Sequence, residues 1–260
     1  MKIAVCVKHV PVDGNVEVDP QTHRLIRENS ASDINPCDLN AMELALQLKK
    51  SAGAEVDVFT MGAELANSSL KKCLALGADN AYLISDRKFA GSDTVGTARV
   101  LAGGIAKTGQ YDVIFTGAES SDGATGQVGP MLAQALGMPS VAEAMEASLM
   151  EDGRLAVRKK LSDGSMRLAV KLPCLLTVPF GCNEPERPTL RAQMKANKRD
   201  IPVLDQSVLQ LDESGIGMDA ALSVVTSLAS GKAKKTAERL TGTPAELAAQ
   251  LTGLIGQRRG

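Results

Sequence analysis

Short apolar runs alternate with helix-period segments through the first half of the chain. Lys2–Lys8, Glu55–Thr60, Asn80–Ile84 and Tyr111–Thr116 read as strands. Between them lie three amphipathic segments. Ala41, Leu44, Ala45 and Leu48 share one helical face, as do Ala66, Leu70, Cys73 and Leu74 before a stop at Gly77, and then Ala98, Leu101, Ala102 and Ile105. A fourth face, Val128, Met131, Leu132 and Ala135, follows the last of these strands. Such βαβα alternation predicts an α/β fold: a doubly wound, mostly parallel sheet with helices on both faces.

Two departures mark the pattern. The connection from the first strand to the first helix runs to roughly thirty residues, where a few are usual. Within it Val16–Pro20 and His23–Arg27 flank Gln21-Thr22, which predicts a small hairpin excursion. The chain returns through Asn35-Pro36, an N-cap followed by a proline at the first helical position. After about residue 140, Ser148–Met150, Arg154–Leu161 and Met166–Thr177 are strand-like and separated by Asp152-Gly153 and Asp163-Gly164, the signal of antiparallel hairpins. From Ile201 the chain is loop-rich, with helices expected near Asp219–Ala229 and Pro244–Leu254 and few tertiary anchors. The domain expectation is therefore an α/β body over 1–200 and a C-terminal arm over 201–260 that lies on a partner.

Composition narrows the function. The chain has 260 residues, 44% hydrophobic and 23% charged, with a net charge of -1, which gives no general attraction to nucleic acid or membrane. No apolar run reaches the length of a membrane span, and MKIAVCVKHVPVDG reads as a strand start rather than a signal peptide, so the cytoplasm is the expected location. The five cysteines have neither CxxC nor zinc spacing, and Cys6 and Cys73 sit in apolar patterns as packing residues. With only His9 and His23, no metal site is expected. The two Tyr and four Phe, without Trp, argue against a base-stacking platform.

The candidate chemistry lies in the loop Gly117–Val128. A strand, a loop of small polar residues and a helix start together present free backbone N–H groups and a helix dipole to an anion. In a doubly wound sheet ligands bind at the carboxyl ends of strands where the strand order reverses. With an order 3-2-1-4, the residues just past strands 1 and 4 are Val7, Lys8 and His9 and the Gly117–Val128 loop. Asn35–Asp38 and Thr60-Met61-Gly62 open on the same edge. Asp122 suits a ribose hydroxyl or an amide; as a plain structural element Asp122-Gly123 is a turn and Thr125 a helix N-cap. Gly215-Ile-Gly217-Met-Asp-Ala220 matches G-x-G-x-x-A but lacks a βαβ unit around it. Ser120, Ser121 and Cys37 have no base, so covalent catalysis is not expected. In Asn183–Lys198, Leu190 stands alone among polar residues, either as a tucked linker residue or as an anchor for a partner.

Taken together these residues resemble the beta subunit of an electron transfer flavoprotein (the ETF/FixA family). The resemblance runs nearly end to end: Lys8, Asp19-Pro20, Asn35-Pro36, Ala75-Leu-Gly77-Ala78-Asp79, Gly117…Asp122-Gly123…Gln127-Val-Gly129, Lys171-Leu-Pro173 and Asn183-Glu184-Pro185…Leu190…Met194-Lys195-Ala196. Ser162-Asp-Gly-Ser-Met166 departs from the family's usual acidic-glycine turn followed by Glu or Gln. The resemblance implies a redox carrier rather than a stand-alone enzyme. It implies a heterodimer with an electron transfer flavoprotein alpha subunit, an FAD held mainly by that subunit, and a second adenine nucleotide in this chain. The family's nucleotide positions map to Cys6, Asn35, Pro36, Cys37, Asp38, Met61, and to Gly117, Ala118, Glu119, Ser120, Ser121, Asp122, Gly123, Ala124, Thr125, Gly126, Gln127 and Val128; Val7 and Lys8 join them by position. Leu190, Arg191, Met194 and Lys195 fall in the loop that recognises acyl-CoA-type or other flavin dehydrogenases. The second nucleotide is AMP in some members and an electron-bifurcating FAD in others; this loop resembles the FAD-carrying group except at Ala124, where an Asp is usual.

Overall fold

The computed structural model describes residues 1–12, 17–18, 25–26, 32–224 and 239–257. The chain divides into two compact units, Met1–Val225 and Thr226–Gly260.

The first unit is built on a seven-stranded sheet. Its strands are β1 (Lys2–Cys6), β6 (Glu55–Met61), β7 (Asn80–Ile84), β8 (Val113–Gly117), β9 (Ser140–Val141), β13 (Cys174–Val178) and β14 (Val203–Leu204). They lie in the order β14-β7-β6-β1-β8-β13-β9, and every neighbouring pair is parallel. The first four strands thus take the expected 3-2-1-4 order, and the order reverses beside β1. Both faces of each central strand are apolar, as a sheet covered on two sides requires. Ile3, Val5, Val113 and Phe115 join the core beneath α1 (Pro36–Ala52) and α2 (Asn67–Leu76). Ala4, Cys6, Phe59 and Ile114 join the core beneath α3 (Thr94–Thr108) and α4 (Val128–Ala135).

The helix ends follow the sequence signals. Pro36 opens α1, and Gly53 closes it in the left-handed conformation at φ 64°, its N–H donating to the Lys49 carbonyl. Asn35 is the N-cap residue, but its side chain makes no capping bond. In α4 the expected face shifts: Ala135 is exposed, and Gly129, Leu132 and Ala133 are buried. Gly129 sets that rotation, because a Cβ there would lie 2.6 Å from Thr177 Cγ2 and 2.7 Å from Thr116 Oγ1. Its missing side chain lets the helix settle directly on the strand ends.

The remaining strands make small antiparallel sheets. β2 (His9–Pro11) pairs with β5 (Ser32–Ile34), and β3 (Glu17–Val18) pairs with β4 (Leu25–Ile26) as the expected excursion; its other residues lie outside those described. β10 (Ala144–Leu149), β11 (Leu155–Leu161) and β12 (Gly164–Val170) form a meander through the two Asp-Gly turns. Met166–Thr177 is not one strand. It breaks at Lys171-Leu172-Pro173, where proline has no N–H for a ladder. The part before the break stays in the meander, whereas Cys174–Val178 enters the main sheet beside β8.

The segment after Ile201 carries more anchors than its sequence suggests. Pro202 accepts from the Leu83 amide, β14 extends the sheet, and Leu204 and Ile216 are buried. α5 (Leu190–Asn197) and α6 (Gln206–Leu209) complete this unit. Residues 219–224 are not helical, and the rest of the helix expected to 229 lies outside the described residues. In the second unit α7 spans Pro244–Gln257, close to the expected helix, with Leu251, Leu254 and Ile255 exposed.

Candidate functional site

The carboxyl ends of β1 and β8 form two sides of a crevice, and the first turn of α1 closes its floor. Asp38 is the residue that joins all three. Its carboxylate accepts from the backbone N–H of Lys8 at 2.7 Å and from that of Gly117 at 2.9 Å. Gly117 is required by this closeness: a Cβ there would stand 2.2 Å from Asp38 Oδ1 and 2.7 Å from Cys37 Cβ. Burial pushes the Asp38 carboxyl up to about 7, against the pull of hydrogen bonds from the Lys8 amide, the Asn35 amide and the Gly117 amide and of the Lys8 charge.

Asn35, 1% exposed, holds the loop that follows β8. Its Nδ2 donates to the Glu119 carbonyl at 2.8 Å and its Oδ1 accepts from the Ser121 amide at 3.0 Å. The side chain expected to cap α1 therefore fastens a neighbouring loop, while the Asn35 carbonyl accepts from Asp38 and Leu39. Lys8 reaches over the crevice from the other side. Its Nζ lies 2.6 Å from Asp122 Oδ1 and 3.3 Å from Ser120 Oγ. Asp122 thus meets a lysine of this chain, where the sequence suggested a ribose hydroxyl or an amide.

Beyond Asp122 the loop turns outward. Ala124 has φ 47° and Gly126 φ 63°, with the intervening Thr125 outside the left-handed region. Among the described residues the amides of Thr125, Gly126 and Gln127 have no hydrogen-bond partner, and α4 begins immediately after with no side-chain cap. Gln127, not Thr125, is the N-cap residue. These free donors, the helix N-terminus and Lys8 suit a phosphate. A further unpaired group stands on the same edge: the Thr60 hydroxyl, on β6 next to Met61, is wholly buried without a partner.

The structure brings together Lys8, Asn35, Asp38, Gly117, Glu119, Ser120, Ser121 and Asp122 through direct bonds. Cys6, Val7 and Cys37 are buried beneath them, and Met61 lies one strand over at the end of β6. Burial pushes the Cys37 thiol up, so it is an inert packing group. Two participants went unnoticed in the sequence. Thr94, at the start of α3, donates to Gln127 Oε1 at 3.0 Å. Asp93, the α3 N-cap, accepts from the amides of Leu222 and Ser223. The signal available was only that α3 and α4 begin on the same edge of the sheet.

A second site lies further along α1. Asn40, 2% exposed, donates to the Asn183 carbonyl and side chain at 2.8 and 2.7 Å, and accepts from the Gly181 amide; Asn183 Nδ2 donates back to the Asn40 carbonyl. Glu43 accepts from the Glu186 amide. These bonds fix the approach to α5, which Thr189 caps. The expected recognition loop is thus partly helix. Leu190 is 73% exposed and Met194 58%, one turn apart on the same face, with Arg191 and Lys195 exposed beside them. Ala196 buries the opposite face, and α5 packs on α2.

Residues 22–209 match the family model described as the electron transfer flavoprotein domain. The chain is 39% identical over 260 residues to the caffeyl-CoA reductase-Etf complex subunit CarD of Acetobacterium woodii, covering 99% of each chain. It is 37% identical over 259 residues to the electron transfer flavoprotein subunit beta of Thermoanaerobacterium thermosaccharolyticum, again 99% of each. It is 40% identical over 224 residues to the acryloyl-CoA reductase electron transfer subunit gamma of Anaerotignum propionicum, covering 84% of this chain and 82% of that one.

Proposed function

Since this chain belongs to the electron transfer flavoprotein family, in its beta-subunit/FixA group, we propose that it is the beta subunit of a heterodimeric flavoprotein that carries electrons between a dehydrogenase or NADH and a protein acceptor. The observation that carries the nucleotide part is the crevice in which Asp38 and Asn35 tie α1 to the ends of β1 and β8, beneath a loop with three free amides. In this reading that loop, Lys8 and the start of α4 hold the phosphate of an adenine nucleotide, and the strand ends from Cys6 to Met61 face its base. An FAD shared with an alpha subunit supplies the electron chemistry; the chain's own work is to bind, orient and exclude water.

Leu190 and Met194 form the contact for the electron partner, with Arg191 and Lys195 steering it. Their exposure on a helix fixed by Asn40 and Thr189 supports this role. The partner is an acyl-CoA-type or other flavin dehydrogenase, which agrees with two relatives being named as parts of CoA reductase complexes. The exposed apolar side of α7 is the surface by which the C-terminal arm packs on the alpha subunit. The resemblance of the Gly117–Val128 loop to the FAD-carrying group motivates electron bifurcation, with a second FAD in place of AMP. Among the described residues no helix is long and apolar enough to cross a membrane.

The test is acid extraction of the complex purified with its partner subunit, counting FAD and AMP. Two FAD and no AMP supports bifurcation; one of each supports simple transfer. A colourless complex retaining only AMP replaces the carrier with a non-redox nucleotide-binding regulatory protein of the same fold.

A further inference from the structure

Asp38 belongs to the family's nucleotide positions by sequence, yet its geometry gives it a different part. Both carboxylate oxygens are spent on the chain itself, one on the Lys8 amide and one on the Gly117 amide. Only 6% of the residue is exposed. Nothing is left over to meet a ligand. What the carboxylate touches, however, is the backbone on both sides of the crevice. Lys8 lies two residues past the end of β1, Gly117 is the last residue of β8, and Asp38 rides on the first turn of α1. One group thus spans the three elements whose ends make the site.

We propose that Asp38 is a positioning residue whose ionised carboxyl group holds the β1 and β8 ends at the separation a nucleotide needs, and that the crevice loosens when its charge is lost. The inference rests on the nucleotide reading of the site given above. The chemistry follows from counting donors and acceptors. A carboxylate accepts at both oxygens, but a protonated carboxyl must turn one oxygen into a donor. Two backbone N–H groups and the Asn35 side-chain amide face it, so one of these donors would lose a partner. An amide side chain in the same place has one acceptor and one NH₂ group, and it imitates the protonated state.

The surroundings raise this group well above the usual carboxylate range, and His9 follows Lys8 on β2. From β1 the Cys6 thiol faces Asp38, from α1 the Cys37 thiol, and from α2 the Cys73 thiol. Burial pushes all three thiols up, Cys73 to about 12. Lys8 provides the facing cation; Glu119 lies beyond Cys37, and Lys72 and Asp33 beyond Cys73. Burial holds Asp38 itself at about 7. The clamp is therefore complete above that pH and fails below it.

The experiment is calorimetric titration of the full-length protein, with its partner subunit where one co-purifies, using AMP and separately FAD, at pH 6 and pH 8. Wild type is compared with Asp38→Asn. The expected result is an affinity about tenfold weaker in the variant at pH 8, the size of one lost buried hydrogen bond, with the two proteins converging at pH 6. Taking the ratio of the two proteins cancels the ionisation of the ligand's own phosphate near pH 6. Equal affinities at both pH values overturn the inference. So does tighter binding by Asp38→Asn at pH 8, which would mean that the carboxylate acts by repelling the phosphate.

Amide exchange of Lys8 and Gly117 in nucleotide-free wild type needs no variant. Corrected for intrinsic rates, protection of both amides should fall between pH 8 and pH 6. Unchanged protection overturns the clamp even when nucleotide binds, and a titrating clamp in a protein that binds neither AMP nor FAD overturns only the nucleotide reading.

Discussion

Helix α1 carries two clasps, at Asp38 and at Asn40, and they are built differently. The first, Asn35 and Asp38, binds the crevice together with a buried carboxylate and an amide. The second, Asn40 with Asn183, fixes the approach to α5 with a reciprocal pair of neutral amides. Both are buried and well bonded. They differ in chemistry: a buried carboxylate depends on pH and on every donor around it, whereas the Asn40 and Asn183 side-chain amides carry no titrating group.

The comparison breaks first at Gly117. Gly117→Ala places a Cβ against Asp38 Oδ1 and Cys37 and should cost about 2–3 kcal/mol, with loss of nucleotide from the purified protein; denaturant unfolding and acid extraction measure the two effects. Asn40→Ala comes next. It leaves the Gly181 amide and the Asn183 carbonyl and Oδ1 without these partners, at about 1–3 kcal/mol. It should slow electron transfer to the partner while nucleotide content stays at the wild-type level. If instead nucleotide is lost in parallel, the two clasps are not separable.

Smaller effects sharpen the contrast. Leu190→Ala removes an exposed side chain, so stability should change by no more than about 0.5 kcal/mol while the KM for the protein partner rises; transfer unchanged to every dehydrogenase tried would remove the docking role. Ala124→Gly relieves a left-handed residue that carries a Cβ. It should stabilise the loop by about 1 kcal/mol, read as slower proteolysis there. Ala124→Asp is the informative partner to it, because Asp accepts the same conformation and is usual in the FAD-carrying group; a shift of the extracted nucleotide from AMP toward FAD would tie that position to ligand choice. The pH dependence of folding has a definite sign. The folded pKa of Asp38 is raised from 3.8 to about 7, so the native state binds more protons than the unfolded chain between those values. Stability from this group is therefore greatest at low pH and declines as pH rises through the window. Thermal melts of Asp38→Asn should show that decline flattened.

The crevice was readable where chemistry and local pattern coincide. Asn35-Pro36 begins α1, Gly77 ends α2, and the small-residue loop after Phe115 opens on the predicted edge. Asp122 was less readable: its partner Lys8 lies 114 positions away, and nothing local signals that pairing. Asn40 and Asn183 present the same difficulty across 143 positions. The break at Pro173 was visible as a proline, but its consequence, a strand leaving the meander to enter the parallel sheet, depends on the open place beside β8. Ala135 looked buried by period alone, and Gly129 moved the face.

By itself the sequence determined the alternation of strands and helices and the places where several helices begin and end. These follow from periodicity, caps and glycine placement, which act within a few residues of one another. Tertiary structure alone decided that Asn35 serves a loop instead of its helix, that Asp38 turns wholly inward, that Leu190 stands on a helix, and that Val203–Leu204 completes the sheet. The physical reason is shared. Each of these residues had several possible hydrogen-bond or packing partners, and only the close approach of distant segments, with every buried polar group needing a mate, selected one.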